Sequence, residues 1–188
     1  MYHQGLYSED ESLESLMGKR SNFERNERDF YPTPREAVYP LLPFVRGTTF
    51  YEPCCGDGAL VDHLCGLGLD CVGASDIEPL RKGQVRLNAL ELEESDLKSV
   101  HSIITNPPWE RPLLHAMIDR FRNLRNTWLL FDADWMHTRQ SSEHMKYCSR
   151  IVSIGRVRWI PGSASVGKDN CCWYEFQKDE CNTRFIGR

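Results

Sequence analysis

Between residues 48 and 131 short apolar runs alternate with amphipathic ones, and that rhythm constrains the fold more than any other feature of the chain. Residues 48–52, 71–75, 102–105 and 127–131 have the length and the β-branched or aromatic content of buried strands. Residues 85–92 offer a weaker strand. Residues 59–66 place Leu60, Val61 and Leu64 on one helical face, and residues 113–121 also read as helix. Strands alternating with helices predict a parallel sheet covered on both faces. The rhythm then changes. Residues 151–159 and 172–176 are strand-like, with only the turn region Pro161-Gly162-Ser163 between them. They predict an antiparallel hairpin closing the sheet edge.

A chain of 188 residues fits one domain with a sizeable core. Residues 1–28 are polar and charged and read as a flexible arm, leaving 29–188 as the folded domain. Asp29-Phe30-Tyr31-Pro32-Thr33-Pro34 is a rigid, extended approach, because each proline moves its predecessor out of the helical region. Thr33 is then placed to cap a helix with Pro34 at its first position, running to about Leu42. No apolar run nears the roughly 20 residues of a membrane span, and no secretory signal opens the chain. The eight cysteines therefore point to reduced thiols and a cytoplasmic protein. No C-x-x-C spacing occurs, and His137 and His144, seven apart, have no further ligand nearby, so no metal is expected. Trp128 and Trp135, flanking the fifth strand, are expected in the core.

The net charge of -4 conceals an asymmetry. Residues 51–100 hold ten acids and four bases, whereas residues 111–168 hold ten bases and four acids. If the later bases share one side, they form a local positive face suited to a polyanion.

Two short segments carry the chemistry. Glu52-Pro53-Cys54-Cys55-Gly56-Asp57-Gly58 lies between the first strand and its helix, the usual ligand crevice of an open α/β sheet. Its glycines allow close backbone approach, but no Lys follows to reach phosphates. Glu52 and Asp57 suit a cation or hydroxyls, and Asp76, ending the second strand, is placed to accept from ribose hydroxyls. A cationic, ribose-bearing, phosphate-free cofactor fits, and S-adenosylmethionine is such a molecule. The second segment, Asn106-Pro107-Pro108-Trp109, follows the apolar strand 102–105. An amide, two rigid prolines and an indole at a strand end suit holding a planar amine against an aromatic face.

Together these segments resemble the class I methyltransferases that act on amino groups of bases, specifically the N6-adenine DNA methyltransferases. Residues 52–60 look like their cofactor motif and 106–109 match their catalytic motif. Residues 29–34 resemble the segment that precedes the first strand, and 167–174 the late hairpin of compact, phage-borne versions. The resemblance implies a single Rossmann-like α/β domain with a mostly parallel seven-stranded sheet, helices on both faces and no separate target-recognition domain. It assigns catalysis to Asn106, Pro107, Pro108 and Trp109. Cofactor contacts fall on Tyr31, Thr33, Glu52, Cys54, Gly56, Asp57, Gly58, Asp76, Ile77, Asn88 and Asn106. The family usually has an acid where Asn88 stands, and Asp96 is the other candidate for that contact with the cofactor's adenine. Substrate contacts fall on Trp109, Arg158, Lys168, Asn170 and Trp173, with Trp173 or Tyr174 as a second stacking surface.

The expected reaction is methylation of the adenine N6 amine in DNA, with the base flipped or unpaired. An RNA base or a protein glutamine amide are alternative substrates, and a non-catalytic, cofactor-gated nucleic-acid-binding module is the alternative of another class. The basic stretch after residue 111 favours nucleic acid over protein. Only residues 134–150 remain for reading sequence, so short-site specificity, a homodimer or a partner subunit is expected.

Overall fold

The computed structural model describes residues 31–160, 162 and 167–188; the expected arm at 1–28 lies outside them. Eight strands form one sheet. They are β1 (Thr49–Glu52), β2 (Asp70–Asp76), β3 (Val85–Arg86), β4 (Ser102–Thr105), β5 (Asn126–Asp132), β6 (Cys148–Arg156), β7 (Asn170–Phe176) and β8 (Arg184–Ile186). Their spatial order is β3-β2-β1-β4-β5-β7-β6-β8. The first five are mutually parallel, and β7 runs antiparallel to both β5 and β6. The mixed α/β sheet expected from the sequence is therefore present. An eighth strand, parallel to β6, extends it by one.

Period-two alternation builds a core on each face. Ile103, Leu129, Phe131, Tyr174 and Phe176 face one side, where Leu114, Met117, Ile118 and Phe121 of the helix α3 (Arg111–Arg122) cover them. Their neighbours Ile104, Trp128, Leu130 and Trp173 face the other. There Leu41 and Val45 of the N-terminal turns and of α1 (Leu42–Val45), with Leu60 and Leu64 of α2 (Ala59–Cys65), complete the packing. A fourth helix, α4 (Ser142–Met145), leads toward β6.

Three local expectations are corrected. The helix expected over 34–42 is instead two 3-10 turns, Arg35–Ala37 and Tyr39–Leu41, before α1. Pro40 and Pro43 lack the N–H groups a continuous α-helix would use there. Thr33 makes no capping bond to these turns. The third strand shrinks to two residues, because Asn88 accepts from the Leu90 N–H (3.1 Å) and turns the chain into the 3-10 segment Ala89–Glu91. The antiparallel hairpin expected at the sheet edge is present beyond β5. β7 is its inner strand, paired along both edges by β5 and β6.

One consequence positions the site. Parallel β1, β2, β4 and β5 bring Glu52, Asp76, Asn106 and Asp132 to the carboxyl edge of the sheet. Because β7 runs against both β5 and β6, β6 runs with β5. Arg158 and Trp159 after β6, and Lys168 before β7, therefore reach the same edge.

Candidate active site

The carboxyl edge opens into a cleft of about 700 Å³. Of the residues assigned to the cofactor, Tyr31, Thr33, Glu52, Cys54, Gly56, Asp57, Asp76, Ile77, Asn88 and Asn106 all line it. Gly58 does not; its φ of 78° sets the start of α2, and a Cβ there would meet the Arg81 guanidinium at 3.1 Å. This is a backbone position that only glycine fills without strain. Asp96, the alternative to Asn88, points elsewhere: its carboxylate accepts from the Glu93 N–H (2.8 Å) in a capping box.

The loop after β1 is held by its acids. Asp76 accepts from the Gly56 N–H at 2.8 Å through one oxygen and from the Glu78 N–H at 2.9 Å through the other. Asp57 accepts from the Ala59 N–H at 3.0 Å, at the first residue of α2. Asp76 thus clamps the loop to β2, and each oxygen keeps a further lone pair toward the cleft. Glu52 differs. It is 2% exposed, and its Oε2 has no hydrogen-bond partner among the described residues. Burial holds its carboxyl well above the ordinary range, and the charges of Asp76 and Asp57 push the same way.

Among the described residues the cleft wall contains Glu52, Asp57, Asp76 and Glu78, and no Lys, Arg or His. A phosphate would be repelled there. A cation with donor hydrogens would satisfy the orphaned Glu52 oxygen. Burial, then the charges of Asp76 and Glu52, keeps the Cys54 thiol protonated, which removes it as a nucleophile.

At the other end of the cleft stands Asn106. Its Nδ2 donates to Thr33 Oγ1 (3.2 Å) and to the Tyr31 carbonyl (3.4 Å), and its Oδ1 accepts from Trp109 Nε1 (3.3 Å). The indole N–H also reaches the Leu130 carbonyl at 3.1 Å. Pro108 lines the cleft, whereas Pro107 is buried and Trp109 packs behind the amide against both cores. Trp159 meets Trp109 edge to face at 5.7 Å and lies 6.4 Å from the Tyr31 ring. Sequence reasoning gave Trp159 no role. Its only signal was its place at the end of an apolar run.

The structure does not bring Trp173 to the site. It is fully buried on β7, with its indole N–H on the Ala37 carbonyl at 2.7 Å. Tyr174 is equally buried, stacked on Phe131 at 4.1 Å with its hydroxyl on the Asp132 carbonyl. Neither offers a stacking surface, because β7 is an interior strand. Trp128 and Trp135 sit in the core as expected. Arg158, Lys168 and Asn170 are exposed at the carboxyl edge.

The basic stretch is less free than its composition promised. Arg111 pairs with Asp132, Arg122 with Asp119, Lys146 with Glu143 and Arg150 with Glu175. Arg120 and Arg125 donate to the carbonyls of Leu92 and Val100. Of the ten bases, Arg139, Arg156, Arg158 and Lys168 make neither an ion pair nor a side-chain hydrogen bond among the described residues, and the last three lie between the end of β6 and the start of β7. No group of three or more His, Cys, Asp or Glu side chains is placed to hold a metal, and no helix is long and apolar enough to cross a membrane, among the described residues.

The sequence matches no family model and none of the curated proteins. Solved structures match in fold. A protein from Pyrococcus horikoshii assigned as an RNA methyltransferase is 16% identical with a TM-score of 0.53, over 90% of this chain and 98% of its own. A Listeria monocytogenes protein assigned as a class I S-adenosylmethionine-dependent methyltransferase is 12% identical, TM-score 0.50, over 82% of this chain and 65% of its own. A Lactococcus lactis protein assigned as a hemolysin is 8% identical, TM-score 0.57, over 82% and 91%. What these share with the present chain is the fold, that of the Rossmann-like class I methyltransferases.

Proposed function

We propose that this protein transfers a methyl group from S-adenosylmethionine to the N6 amine of adenine in DNA. The observation that carries the reading is the cleft itself: four acids and no base at one end, and an oriented Asn106 amide at the other.

The residues fit the cofactor. Glu52, with an unpartnered buried oxygen, suits its ammonium, Asp76 suits the ribose hydroxyls, and Asn88 lines the wall where its adenine would rest. When bound, S-adenosylmethionine supplies an electrophilic methyl group. The protein's part is positioning. An adenine amine is a weak nucleophile because its lone pair is delocalised into the ring. Asn106 Oδ1 keeps one lone pair beyond its bond to Trp109, and that lone pair accepts an amine hydrogen. With the amine so held, its nitrogen lone pair is freed for attack, and the amide needs no reorganisation. No strong general base is required, and the side chains lining the cleft offer none beyond the acids of the cofactor end.

Nucleic acid is favoured by Arg156, Arg158 and Lys168, which lie unpaired at the same edge as Asn106. DNA is favoured over RNA by the motif resemblance. Residues 134–150 are taken up by short turns around the buried Trp135 and by the start of β6, which leaves little for reading sequence. A second subunit, either a further copy or a partner, completes target recognition in this reading.

The test is transfer of labelled methyl to DNA, RNA and a peptide in parallel, with nucleoside analysis. Labelled N6-methyladenine in the DNA arm, lost in Asn106→Ala, is expected. Label confined to RNA or peptide reassigns the substrate, and cofactor binding with no transfer to any of the three leaves a cofactor-gated binding module.

A further inference from the structure

We propose that Thr33 is a positioning residue of this site, holding the Asn106 amide in the orientation that the Tyr31 carbonyl and the Trp109 indole set. The inference rests on the methyl-transfer reading for its kinetic consequence but not for its geometry.

Asn side chains have two orientations that differ only by exchanging oxygen and nitrogen, and the hydrogen-bonding partners decide between them. Two of the Asn106 partners have only one possible role. The Tyr31 carbonyl is an acceptor and the Trp109 indole N–H is a donor. Turning the amide over would set its oxygen against a carbonyl and its NH₂ against an N–H. Thr33 Oγ1, at 3.2 Å, takes the second amide hydrogen. Both hydrogens are then occupied, and the free capacity of the amide is a single oxygen lone pair.

Thr33 has one hydrogen-bonding task among the described residues. It is 5% exposed, it does not cap the turn that follows it, and Asn106 is its only hydrogen-bond partner among the described residues. A buried hydroxyl costs stability unless it is bonded. This one accepts from a residue 73 positions away. The two prolines around it, Pro32 and Pro34, fix the local backbone so that the hydroxyl meets the amide at a set distance. Thr33 lines the cleft as well, so the competing role is direct contact with the cofactor.

Three variants separate these roles. Thr33→Val keeps the shape and removes the hydroxyl, Thr33→Ala guards against a crowding artefact, and Thr33→Ser restores the hydroxyl. In the full chain, kcat on adenine-containing DNA is expected to fall by about tenfold to a hundredfold in the Val and Ala variants, the scale of a misplaced reacting group. KM for DNA and calorimetric affinity for S-adenosylmethionine are expected to stay within about threefold, and the Ser variant recovers most of the rate. Independently of activity, the side-chain amide protons of Asn106 in nitrogen-15 spectra should shift and exchange faster in the Val variant, and return in the Ser variant. Unchanged kcat with unchanged amide signals overturns the proposal. So does a loss of cofactor affinity at unchanged kcat, which makes Thr33 a cofactor contact. If the wild-type protein methylates nothing, the methyl-transfer reading fails, and the amide spectra alone still decide whether Thr33 orients Asn106.

Discussion

Glu52 shows how one residue ties the cleft to proton equilibria. An acid whose folded pKa is raised leaves the folded state holding more protons than the unfolded state above the ordinary carboxyl range. Stability is therefore lost as pH rises through the raised value. Glu52→Gln keeps the shape and cannot ionise, so its melting temperature should exceed that of wild type at pH 8 and match it near pH 5. The same substitution should weaken S-adenosylmethionine by at least tenfold at pH 8, since the ionised oxygen is the cation's partner. Calorimetry in buffers of different ionisation enthalpy should find protons released on binding to the wild type and none to the variant. Equal melting curves across that range would mean Glu52 titrates normally. That Glu52 matters was legible from its place after a strand and before a glycine loop. That Asp76 would clamp Gly56 was not, because the bond spans 20 residues and depends on how β1 and β2 pair.

Elements were legible where local pattern and tertiary setting agree. The continuous apolar runs of β4 and β5 announced interior strands, and they are buried along nearly their whole length. β7 was legible as a strand but not as an interior one. Its place between β5 and β6 sends Trp173 and Tyr174 into opposite cores, where the family resemblance had offered one of them as a second stacking surface. Trp173→Phe should accordingly cost about 2–4 kcal/mol, from a stranded Ala37 carbonyl and a partial cavity, while DNA affinity of the folded protein stays unchanged. Chemical denaturation and anisotropy titration check the two halves separately, and a selective loss of DNA affinity would return Trp173 to the site. A second element-level prediction concerns α3 against the 3-10 segment Ala133–His137. His115 Nε2 accepts from Trp135 Nε1 at 3.0 Å, so its ring is neutral there, and the His144 ring lies tilted against it with centroids 4.4 Å apart. Burial, then His144 and Arg111, lowers the His115 pKa, while Asp119 opposes them. The unfolded state then binds more protons, so this contribution is complete above about pH 6.5 and is lost as pH falls through the lower folded value. His115→Gln should flatten the melting temperature between pH 7 and 5.5, and an unchanged slope would show that His115 is not the group.

At the scale of the whole molecule the question is how an acidic protein would hold a polyanion. The net charge is -4, and most bases of the second half are bound to carbonyls or acids within the fold. What remains at the active edge is Arg156, Arg158 and Lys168, flanking the loop between β6 and β7. Each phosphate neutralised contributes about -0.9 to the slope of log affinity against log salt on duplex DNA. Three contacts therefore set a slope of about -3 and a weak, readily reversed complex. Arg158→Glu with Lys168→Glu should remove about two phosphate contacts, bring the slope toward -1 and leave calorimetric affinity for S-adenosylmethionine unchanged. Anisotropy titrations of a labelled duplex from 25 to 200 mM salt, on the order of the range where such slopes are resolved, read both. A wild-type slope near -6 would bring in further bases of the sequence, such as Lys19, Arg20, Arg25 and Arg28, or a second copy of the chain. Repeating the titration at tenfold higher protein concentration separates those two sources, because only assembly makes the slope depend on protein concentration.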